Sequence, residues 1–577
     1  MSSSLLADNI NLIWSSLIIA ELVKNGIDTF FVSPGNRNAP LIAALARHDG
    51  AVKRISIDER AAGYRALGHA KATGVPGVLV CTSGTAPANY YPAVIEAFRD
   101  EVPLIVLSAD RPPELVGSDA NQTILQHNLY GAYCRDSLFL PCPAIDYPLE
   151  ALLAKIDHLV ARPNGPVHIN CPFREPLTPG IPDVNPLPGN VLATARLLHC
   201  RPLPYTAYHR REVLPADLNA VIALIRETDR GLVVIGRLDT PQDLPALDNF
   251  LQKTRWPVFC DIASSMKGFA PPETQVFSLD HPEAVRLVGA YAPETILQFG
   301  SGLVSKHYYA SILPQSRATV VQIGTRRGLR DPAHRVNIRI SVPIPAFVVG
   351  LEIDETAAHD SPARSSFLGQ MQALQESVQQ RVPSTTLNLP RIAGTILSRV
   401  PDGEGLFLGN SLAIRAFDAI APPFAKQIRV ISNRGVSGIE GGIATSIGFA
   451  EASTKRVTAV IGDISFLHDL NSLLMLREST APVILIVINN GGGRIFERLP
   501  IRDFPDIVDP YMTTPHKMDF RRLAEQFSLP YFSARTPGEL AAAYGSVLDT
   551  SAAAILETVL PPEEDLRVFH AMQKVRL

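Results

Sequence analysis

The chain has 577 residues, of which 46% are hydrophobic, and its 53 basic and 56 acidic side chains give a net charge of -3. This length predicts several domains with substantial cores, and the balanced charge argues against a nucleic-acid-binding protein that depends on a large basic excess. The six cysteines include no CxxC pair, which indicates a reducing compartment and suggests no zinc site.

An apolar stretch near the N-terminus, "NLIWSSLIIAELV" at residues 11–23, has the composition of a buried helix. Asp8 precedes it, Glu21 interrupts it and no basic segment stands before it, which argues against a secretion signal. No other stretch reaches the roughly 18 uninterrupted apolar residues of a membrane helix. We therefore expect a core helix here, no membrane span and a cytoplasmic protein.

Short Val/Ile-rich runs alternate with longer helical patterns along the chain, which favours parallel sheets covered by helices on both faces. The runs form three groups: the first includes "TFFVSPG", "GVLVCTSG" and "PLIVLSADRP", the second "GLVVIG", "TILQFGSG" and "TVVQIG", and the third "GLFLGN", "VTAVIGD" and "VILIVINN". Proline-rich stretches at 174–190 and 379–391 separate the groups, as linkers do. The sequence therefore predicts an α/β protein with three doubly wound parallel-sheet domains, at residues 1–190, 200–370 and 388–577.

Two strands of the third group end in polar residues. Asp463 follows "VTAVIG", and Asn490 follows "VILIVIN" and opens a run of three glycines. If these strands are parallel neighbours, their carboxyl ends meet at one edge of the sheet, where open α/β sheets bind ligands. A carboxylate, an amide oxygen and a glycine carbonyl are hard ligands that suit magnesium or calcium better than zinc, and magnesium favours a diphosphate as its companion. We expect Asp463, Asn490 and Gly492 to hold the metal, with helix amides near Ser465 meeting the diphosphate. An ordinary strand-to-loop turn is the alternative.

At these residues the chain resembles the thiamin-diphosphate enzymes, whose motif is Gly-Asp-X followed one strand later by Asn-Asn. Ile464 stands where that motif more often has glycine. The resemblance implies a thiamin-diphosphate-binding fold, with thiamin diphosphate and Mg²⁺ or Mn²⁺ as cofactors. It also implies a glutamate that activates the aminopyrimidine at N1′, and Glu59 in "ISIDERAAGYRALGHAKATG" has the matching context. Taken alone, a glutamate at a helix start is only a favourable dipole partner.

The same resemblance implies the further residues of the cofactor site. Ile439 corresponds to the bulky apolar side chain that wedges beneath the cofactor, although an isoleucine is otherwise a core residue. The cofactor-binding residues implied in this way are Glu59, Thr85, Ser437, Ile439, Asp463, Ile464, Ser465, Asn490, Gly492 and Ile495.

Seven segments match one family within this superfamily: "SPGNRNAPL", "SADRPPEL", "ANQTI", "HINCPFREPL", "NSLAIR", "SNRGVSGIEGG" and "GDIS". Together they make nearly the whole chain similar to the 2-succinyl-5-enolpyruvyl-6-hydroxy-3-cyclohexene-1-carboxylate synthases of menaquinone biosynthesis. This similarity implies decarboxylation of 2-oxoglutarate and 1,4-addition of the resulting succinyl carbanion equivalent to isochorismate. One alternative is a thiamin-diphosphate decarboxylase or carboligase for another 2-oxo acid, and a second is a non-catalytic ligand-binding protein with this fold. A nicotinamide enzyme is disfavoured because no GxGxxG motif follows a strand.

Both implied substrates carry two carboxylates, which arginine forks bind bidentately. The substrate-binding residues that the resemblance implies are Asn36, Arg37, Arg111, Asn121, Gln122, Lys306, Ser411, Arg415, Arg434 and Phe496, and the catalytic ones are Glu59, Arg37, Arg415 and Arg434. His307 follows Lys306 where the family has a Lys-Arg pair, so half of that clamp differs. For each residue a solvated or ion-paired surface role is the alternative. The family also implies that Glu59 of one subunit meets Asp463 of another, in a homodimer or a dimer of dimers.

Overall fold

The structure, a computed structural model, describes residues 5, 7–161, 164–208, 218–326, 328–351, 361–421, 426–550 and 552–577. It contains three β-sheets, one in each of the three groups of apolar runs, and every pairing between the strands of these sheets is parallel. The predicted α/β fold class with three parallel sheets is therefore confirmed. The domain boundaries at 190, 200, 370 and 388 stay predictions.

The first sheet has six strands in the order β2-β1-β3-β4-β6-β5. Its strands are β1 Thr29–Val32, β2 Val52–Ile55, β3 Gly77–Cys81, β4 Leu104–Asp110, β5 Asp136–Phe139 and β6 Pro166–Pro172, and its helices are α1 Ile10–Lys24, α2 Ala39–Ala46, α3 Glu59–Thr73, α4 Thr85–Asn89, α5 Tyr91–Asp100, α6 Leu149–Val160 and α7 Gly189–His199. The N-terminal apolar stretch forms α1, which is buried along most of its length, as predicted for a core helix.

The middle sheet has five strands in the order β11-β10-β9-β7-β8. Its strands are β7 Gly231–Ile235, β8 Val258–Cys260, β9 Thr295–Phe299, β10 Thr319–Ile323 and β11 Ile338–Ile340, and its helices are α8 Asn219–Glu227, α9 Asp243–Thr254, α10 Pro282–Tyr291, α11 Leu313–Gln315, α12 Ile344–Gly350 and α13 Pro362–Gln379. Strands β7 to β10 are almost entirely buried, as expected for a parallel sheet with helices on both faces, whereas the edge strand β11 is partly exposed.

The third sheet has six strands in the order β13-β12-β14-β15-β17-β16. Its strands are β12 Gly405–Leu408, β13 Arg429–Ile431, β14 Val457–Gly462, β15 Val483–Asn489, β16 Tyr531–Ala534 and β17 Ala554–Val559, and the helices of this part of the chain are α14 Leu389–Arg399, α15 Leu412–Ile420, α16 Gly442–Ser453, α17 Asp463–His468, α18 Ser472–Glu478, α19 Pro505–Val508, α20 Phe520–Gln526, α21 Pro537–Leu548 and α22 Pro562–Gln573. The two polar strand ends thus belong to β14 and β15, which are neighbours in the centre of the sheet.

The described chain divides into two compact units that do not coincide with the three sheets. The first unit contains Met1–Arg211, Asn433–Thr454 and Asp469–Ala481, and the second contains the rest of the chain. In the first unit α16 packs closely along α3. Gly448 permits this approach, since a side-chain carbon at this position would lie only 1.9 Å from the Arg65 carbonyl oxygen. The segment around residues 433–454 therefore belongs structurally with the first sheet.

The stretch "FLHDLNSLLMLRES" between β14 and β15 forms two short helices, α17 and α18. Asp469 lies between them, and its buried carboxylate accepts hydrogen bonds from the Ile443 N–H (2.8 Å) and the Ser472 hydroxyl (2.8 Å). With these contacts, the helix is interrupted at Asp469. Among the described residues, no helix is both long and apolar enough to cross a membrane.

Candidate active site

Asp463 is the first residue of α17 and directly follows β14, at the carboxyl edge of the third sheet. Gly462 pairs with Ile488 across the parallel β14–β15 ladder, so both polar strand ends reach the same edge. The Asp463 side chain is buried, and its Oδ2 accepts hydrogen bonds from the N–H groups of Asn490 (3.1 Å) and Gly492 (2.9 Å). The glycine loop therefore wraps around the carboxylate that the sequence predicts as a metal ligand.

The Oδ1 atom of the Asp463 carboxylate retains a lone pair that can bind a cation. Oδ1 accepts one hydrogen bond, from the Ile464 N–H (2.7 Å), whereas Oδ2 already accepts two. Burial raises the pKa of the Asp463 carboxyl, and the Gly492 N–H and nearby His516 act in the opposite direction. A bound cation would favour the ionised form further.

The two asparagines at the end of β15 have different surroundings. The Asn489 amide donates to Glu557 Oε1 on β17 (2.6 Å), so this side chain joins two neighbouring strands. Asn490 is buried at the sheet edge, and its carbonyl oxygen accepts a hydrogen bond from Arg494 Nε (3.1 Å). Of the pair, Asn490 is the one placed beside Asp463.

A second segment, residues 509–516, lies against the glycine loop. The Gly493 N–H donates to the Thr513 carbonyl (2.7 Å), and Gly492 has a φ of +136°, with a hypothetical side-chain carbon only 2.4 Å from that same carbonyl. Thr513 Oγ1 and His516 Nε2 are buried and have no hydrogen-bond partner among the described residues. A diphosphate supplies the acceptor oxygens that such groups need, so the residues at this edge fit the predicted cofactor.

Glu59 is the first residue of α3 and follows the N-cap Asp58, whose side chain accepts from the Ala61 N–H. Burial raises the pKa of the Glu59 carboxyl, its backbone hydrogen bond opposes the shift, and the neighbouring Asp58 adds to it. A carboxyl with a raised pKa retains its proton closer to neutral pH, which suits proton exchange with a ring nitrogen. Glu59 belongs to the first compact unit and Asp463 to the second.

The segment "SNRGVSGIEGG" is held by two buried side chains of the first unit. Glu96 on α5 accepts hydrogen bonds from the N–H groups of Gly435 and Val436, both at 2.7 Å. Glu440 Oε1 accepts from the Tyr64 hydroxyl of α3 (2.9 Å). Between these anchors, Ser437 adopts a φ of +61° and Ile439 stays 38% exposed. The Ile439 side chain thus lies partly exposed on a loop that these hydrogen bonds hold in place, and it is not part of a hydrophobic core.

Arg37 and Arg111 lie at the carboxyl edge of the first sheet. Arg37 is 7% exposed; its NH1 donates to the Phe173 carbonyl (2.9 Å), its NH2 lies 3.4 Å from Glu175, and its buried Nε has no partner among the described residues. Burial and then the nearby Arg111 lower the pKa of Arg37, and Glu175 and Asp110 oppose them. The structure therefore brings two predicted substrate arginines together.

The predicted residues Asn121 and Gln122 adjoin the same edge. Arg111 donates through Nε (3.1 Å) and NH2 (2.9 Å) to the Asn121 carbonyl, and Gln122 Nε2 donates to the Ser83 carbonyl (3.1 Å). Asn121 and Gln122 are exposed, as are Asn36, on the loop after β1, and Thr85, the first residue of α4 after β3. These loops after β1, β3 and β4 form one polar rim in the first unit.

In the second unit, Arg415 lies on α15 and its NH1 donates to the carbonyl of Ser411 (2.6 Å), the N-cap residue with a φ of +67°. Arg498, on the helical turn Arg494–Arg498 after the glycine loop, forms an ion pair with Asp565 (2.8 Å). Burial lowers the pKa of Arg498 and nearby Arg415 lowers it further, although Asp565 opposes both. Ile495 and Phe496, on this same turn, are partly buried.

Lys306 is exposed on the loop after β9, whereas His307 is engaged with its own surroundings. His307 Nδ1 lies 3.3 Å from the Ser311 hydroxyl, and its Nε2 lies 3.9 Å from Asp280 Oδ1. The His307 side chain is therefore partly engaged in local contacts.

Two buried aspartates connect the Lys306 loop with the Arg415 helix. Asp261 Oδ2 accepts from the Val304 N–H (2.6 Å), and Asp418 on α15 accepts from the Ile262 N–H (2.9 Å). Burial, followed by the charge of Asp261, raises the pKa of the Asp418 carboxyl to about 8. Asp418 is therefore largely protonated at neutral pH.

Several residues at these sites are not among the predicted site residues. Arg494 and Arg498 directly follow the predicted metal loop and are spaced i, i+4, as residues on one face of a helix are. This position in the sequence could have identified them. The others are distant in sequence from the residues they contact. They are Tyr64, Glu96, Asp261, Asp418 and His516.

Three family models match the chain. They are the N-terminal TPP binding domain of thiamine pyrophosphate enzymes over residues 14–130, the middle domain of thiamine pyrophosphate enzymes over 200–408, and the C-terminal TPP binding domain over 418–558.

Curated relatives match over nearly their whole length. A protein of Syntrophus aciditrophicus (strain SB) is 68% identical over 99% of this chain and 100% of its own length. Proteins of Chlorobium phaeobacteroides (strain BS1) and Rubrobacter xylanophilus are each 36% identical, over 98% and 97% of this chain and 97% and 98% of their own lengths. All three are named 2-succinyl-5-enolpyruvyl-6-hydroxy-3-cyclohexene-1-carboxylate synthase.

Proposed function

The chain belongs to the 2-succinyl-5-enolpyruvyl-6-hydroxy-3-cyclohexene-1-carboxylate synthase family of thiamin-diphosphate enzymes, and we propose that it catalyses that family's reaction in menaquinone biosynthesis. The reaction decarboxylates 2-oxoglutarate and adds the resulting succinyl carbanion equivalent to isochorismate in 1,4 fashion. The observation that carries the proposal is the Asp463 carboxylate, wrapped by the N–H groups of Asn490 and Gly492 with one oxygen still able to bind a cation.

The cofactor site takes its protein ligands from the edge of the third sheet. Asp463, Asn490 and the Gly492 carbonyl bind Mg²⁺ or Mn²⁺, because carboxylate, amide and carbonyl oxygens suit these ions. Ile464 and Ser465 lie beside the diphosphate. When bound, thiamin diphosphate supplies the electron sink for the decarboxylation.

Glu59 holds and exchanges the proton at N1′ of the aminopyrimidine. The raised pKa of Glu59 supports this role, since it favours the protonated carboxyl, which can donate to a ring nitrogen and recover the proton. Thr85, Ser437 and Ile439 would border the cofactor, with Ile439 supplying an apolar contact. Ile495 and Phe496 exclude water from the reacting carbon.

The two dicarboxylate substrates bind at separate sets of cations. Arg415, Arg434 and Ser411 orient 2-oxoglutarate. Isochorismate binds at Arg37, Arg111 and Lys306, with Asn36, Asn121 and Gln122 contributing hydrogen bonds. The proximity of Arg37 to Arg111 supports this division, because burial and the charge of Arg111 lower the pKa of Arg37, and a dianionic ligand would offset the repulsion between the two cations.

We further propose a homodimer or a dimer of dimers, located in the cytoplasm, in which Glu59 of one subunit meets the cofactor bound at Asp463 of another. Large apolar side chains of the first unit support an interface. Ile57 is 73% exposed, Leu125 is 73% exposed and Ile55 is 57% exposed. Sedimentation velocity tests the assembly, and a monomer at micromolar concentration contradicts it.

The activity is tested by mass spectrometry of the products formed from 2-oxoglutarate and isochorismate with thiamin diphosphate and Mg²⁺. The expected product joins a succinyl group to the isochorismate skeleton with loss of one CO₂. Product formation from pyruvate but not from 2-oxoglutarate would instead identify a carboligase for another 2-oxo acid.

A further inference from the structure

His516 lies beside the proposed metal site but outside every predicted set of site residues. Its Nε2 is 3.2 Å from Asp463 Oδ2, and its side chain is 12% exposed. The ring packs against Phe520, with centroids 5.6 Å apart, and Phe520 in turn packs against Phe466 of α17. The imidazole is thus held in place next to the carboxylate from which α17 begins.

The backbone determines which nitrogen of His516 carries the proton. The Met518 N–H donates to Nδ1 (3.3 Å), so Nδ1 uses its lone pair as an acceptor. In the neutral ring the proton must then reside on Nε2. Because a metal ligand needs a free lone pair, this tautomer excludes Nε2 as a direct ligand and makes it a hydrogen-bond donor.

The Nε2–H group lies 3.2 Å from Asp463 Oδ2 but makes no hydrogen bond of good geometry within the described part of the chain. Asp463 Oδ2 is near, but it already accepts two backbone hydrogen bonds, and Nε2 makes none of good geometry despite being buried. Burying a donor without an acceptor costs free energy, so the group points to an acceptor that is not part of the protein. The Thr513 hydroxyl, on the same segment, is buried in the same unpartnered state.

We propose that His516 is a further cofactor-binding residue, whose Nε2–H donates a hydrogen bond to the diphosphate carried by the metal at Asp463. The inference rests on the proposed function, since it assigns a role toward that same cofactor. The 509–516 segment thereby contributes a hydrogen-bond donor to the diphosphate, whereas Asp463 contributes a carboxylate ligand to the metal. His516 acts as a hydrogen-bond donor and not as a metal ligand.

The test compares cofactor binding in three variants. His516→Ala removes the donor, His516→Gln retains an N–H group near the position of Nε2, and Lys517→Ala removes an exposed cation from the adjacent residue as the matched control. Calorimetric titration with thiamin diphosphate, and separately with inorganic pyrophosphate, is performed in excess Mn²⁺. Loss of a hydrogen bond to a charged group predicts a Kd roughly 10- to 100-fold higher for His516→Ala with both ligands. His516→Gln recovers part of this loss, and Lys517→Ala leaves the Kd within a factor of about two.

A second measurement identifies the atom that His516 contacts. Electron spin echo spectroscopy of bound Mn²⁺, in protein labelled with ¹⁵N-histidine and loaded with thiamin diphosphate, detects a directly coordinated imidazole. We expect no such coupling in the wild type; a coupling that disappears in His516→Ala would overturn the donor role.

The outcomes separate the inference from the function on which it rests. Wild-type affinity in His516→Ala, with cofactor binding intact in the wild type, overturns the inference alone. A wild-type protein that binds neither thiamin diphosphate nor pyrophosphate with Mn²⁺ overturns the proposed function together with the inference. Thermal unfolding of each variant without cofactor shows whether a weakened site reflects a damaged fold.

Discussion

The replacement Glu96→Gln tests whether the loop that carries Arg434 and Ile439 depends on its anchor in α5. Glu96 is buried and its two carboxylate oxygens accept the N–H groups of Gly435 and Val436, each at 2.7 Å. A glutamine keeps one acceptor oxygen but turns an NH₂ group toward the second N–H. The variant changes no atom that is predicted to touch cofactor or substrate.

The expected magnitude follows from those two hydrogen bonds. Losing one charge-assisted bond and facing donor against donor costs about 2 kcal/mol, which raises the opening equilibrium of the loop about 30-fold. Lys71 lies 3.9 Å from Glu96 but 2.6 Å from Asp100, so it keeps an ion pair in the variant. The effect should therefore be confined to the loop.

Hydrogen exchange measured by mass spectrometry on peptides covering residues 433–441 is the assay. Exchange of the Gly435 and Val436 amides should accelerate about 30-fold, and the Kd for thiamin diphosphate should rise with it. Glu150→Gln, in the first turn of α6, removes the same charge elsewhere in the unit and serves as the control. Unchanged exchange and unchanged affinity in Glu96→Gln would refute the anchoring role of this carboxylate.

The remaining predictions concern the chemistry, the substrates and the pH dependence of stability. Glu59→Gln should bind thiamin diphosphate with wild-type affinity but lose hydrogen–deuterium exchange at C2 of the bound cofactor, followed by NMR, because an amide cannot exchange the proton with N1′; wild-type exchange would remove Glu59 from the mechanism. Arg415→Ala should impair CO₂ release from 2-oxoglutarate alone, whereas Arg37→Ala should leave that step nearly intact and slow product formation with isochorismate, each loss corresponding to about 2 to 5 kcal/mol; equal defects in CO₂ release would contradict the division of the site. The pKa of the Asp418 carboxyl is raised to about 8, so the folded protein retains a proton that the unfolded chain releases near pH 4. The associated stability is fully present below the unfolded pKa and is lost as pH rises toward 8. In urea titrations, the free energy of unfolding of Asp418→Asn should rise relative to that of the wild type by up to about 5 kcal/mol over this pH range. Unfolding free energies that change in parallel with pH in the two proteins would contradict this prediction.

The sequence was sufficient where a site is built from consecutive strand ends. Parallel neighbouring strands place their carboxyl ends at one edge, so Asp463 and Asn490 could be paired before the register of β14 and β15 was known. Arg37 and Arg111 were implied as substrate residues by the family resemblance, and the structure places both at the carboxyl edge of one parallel sheet, after β1 and β4. The pairing of Asp463 with Asn490 required only strand order and direction.

The sequence was insufficient where a side chain acts across a long separation. Glu96 contacts the loop at Gly435, 339 residues away, and nothing in the helical pattern of α5 distinguishes it from an ordinary buried acid. His516 lies in a loop segment without periodicity, and its relation to Asp463 depends on how residues 509–516 lie on the glycine loop. The break between α17 and α18 likewise follows from contacts of Asp469 with Ile443, which local helix propensity does not contain.

The central claim is that this chain joins 2-oxoglutarate to isochorismate with thiamin diphosphate bound at Asp463. Mass spectrometry of reactions containing 1-¹³C-2-oxoglutarate, isochorismate, thiamin diphosphate and Mg²⁺ tests it most directly, with Asp463→Ala as the paired control. We expect labelled CO₂ and an unlabelled succinyl adduct of isochorismate in the wild type, and neither in the variant. A wild-type reaction that releases no label, or a variant that forms the adduct at the wild-type rate, would contradict it.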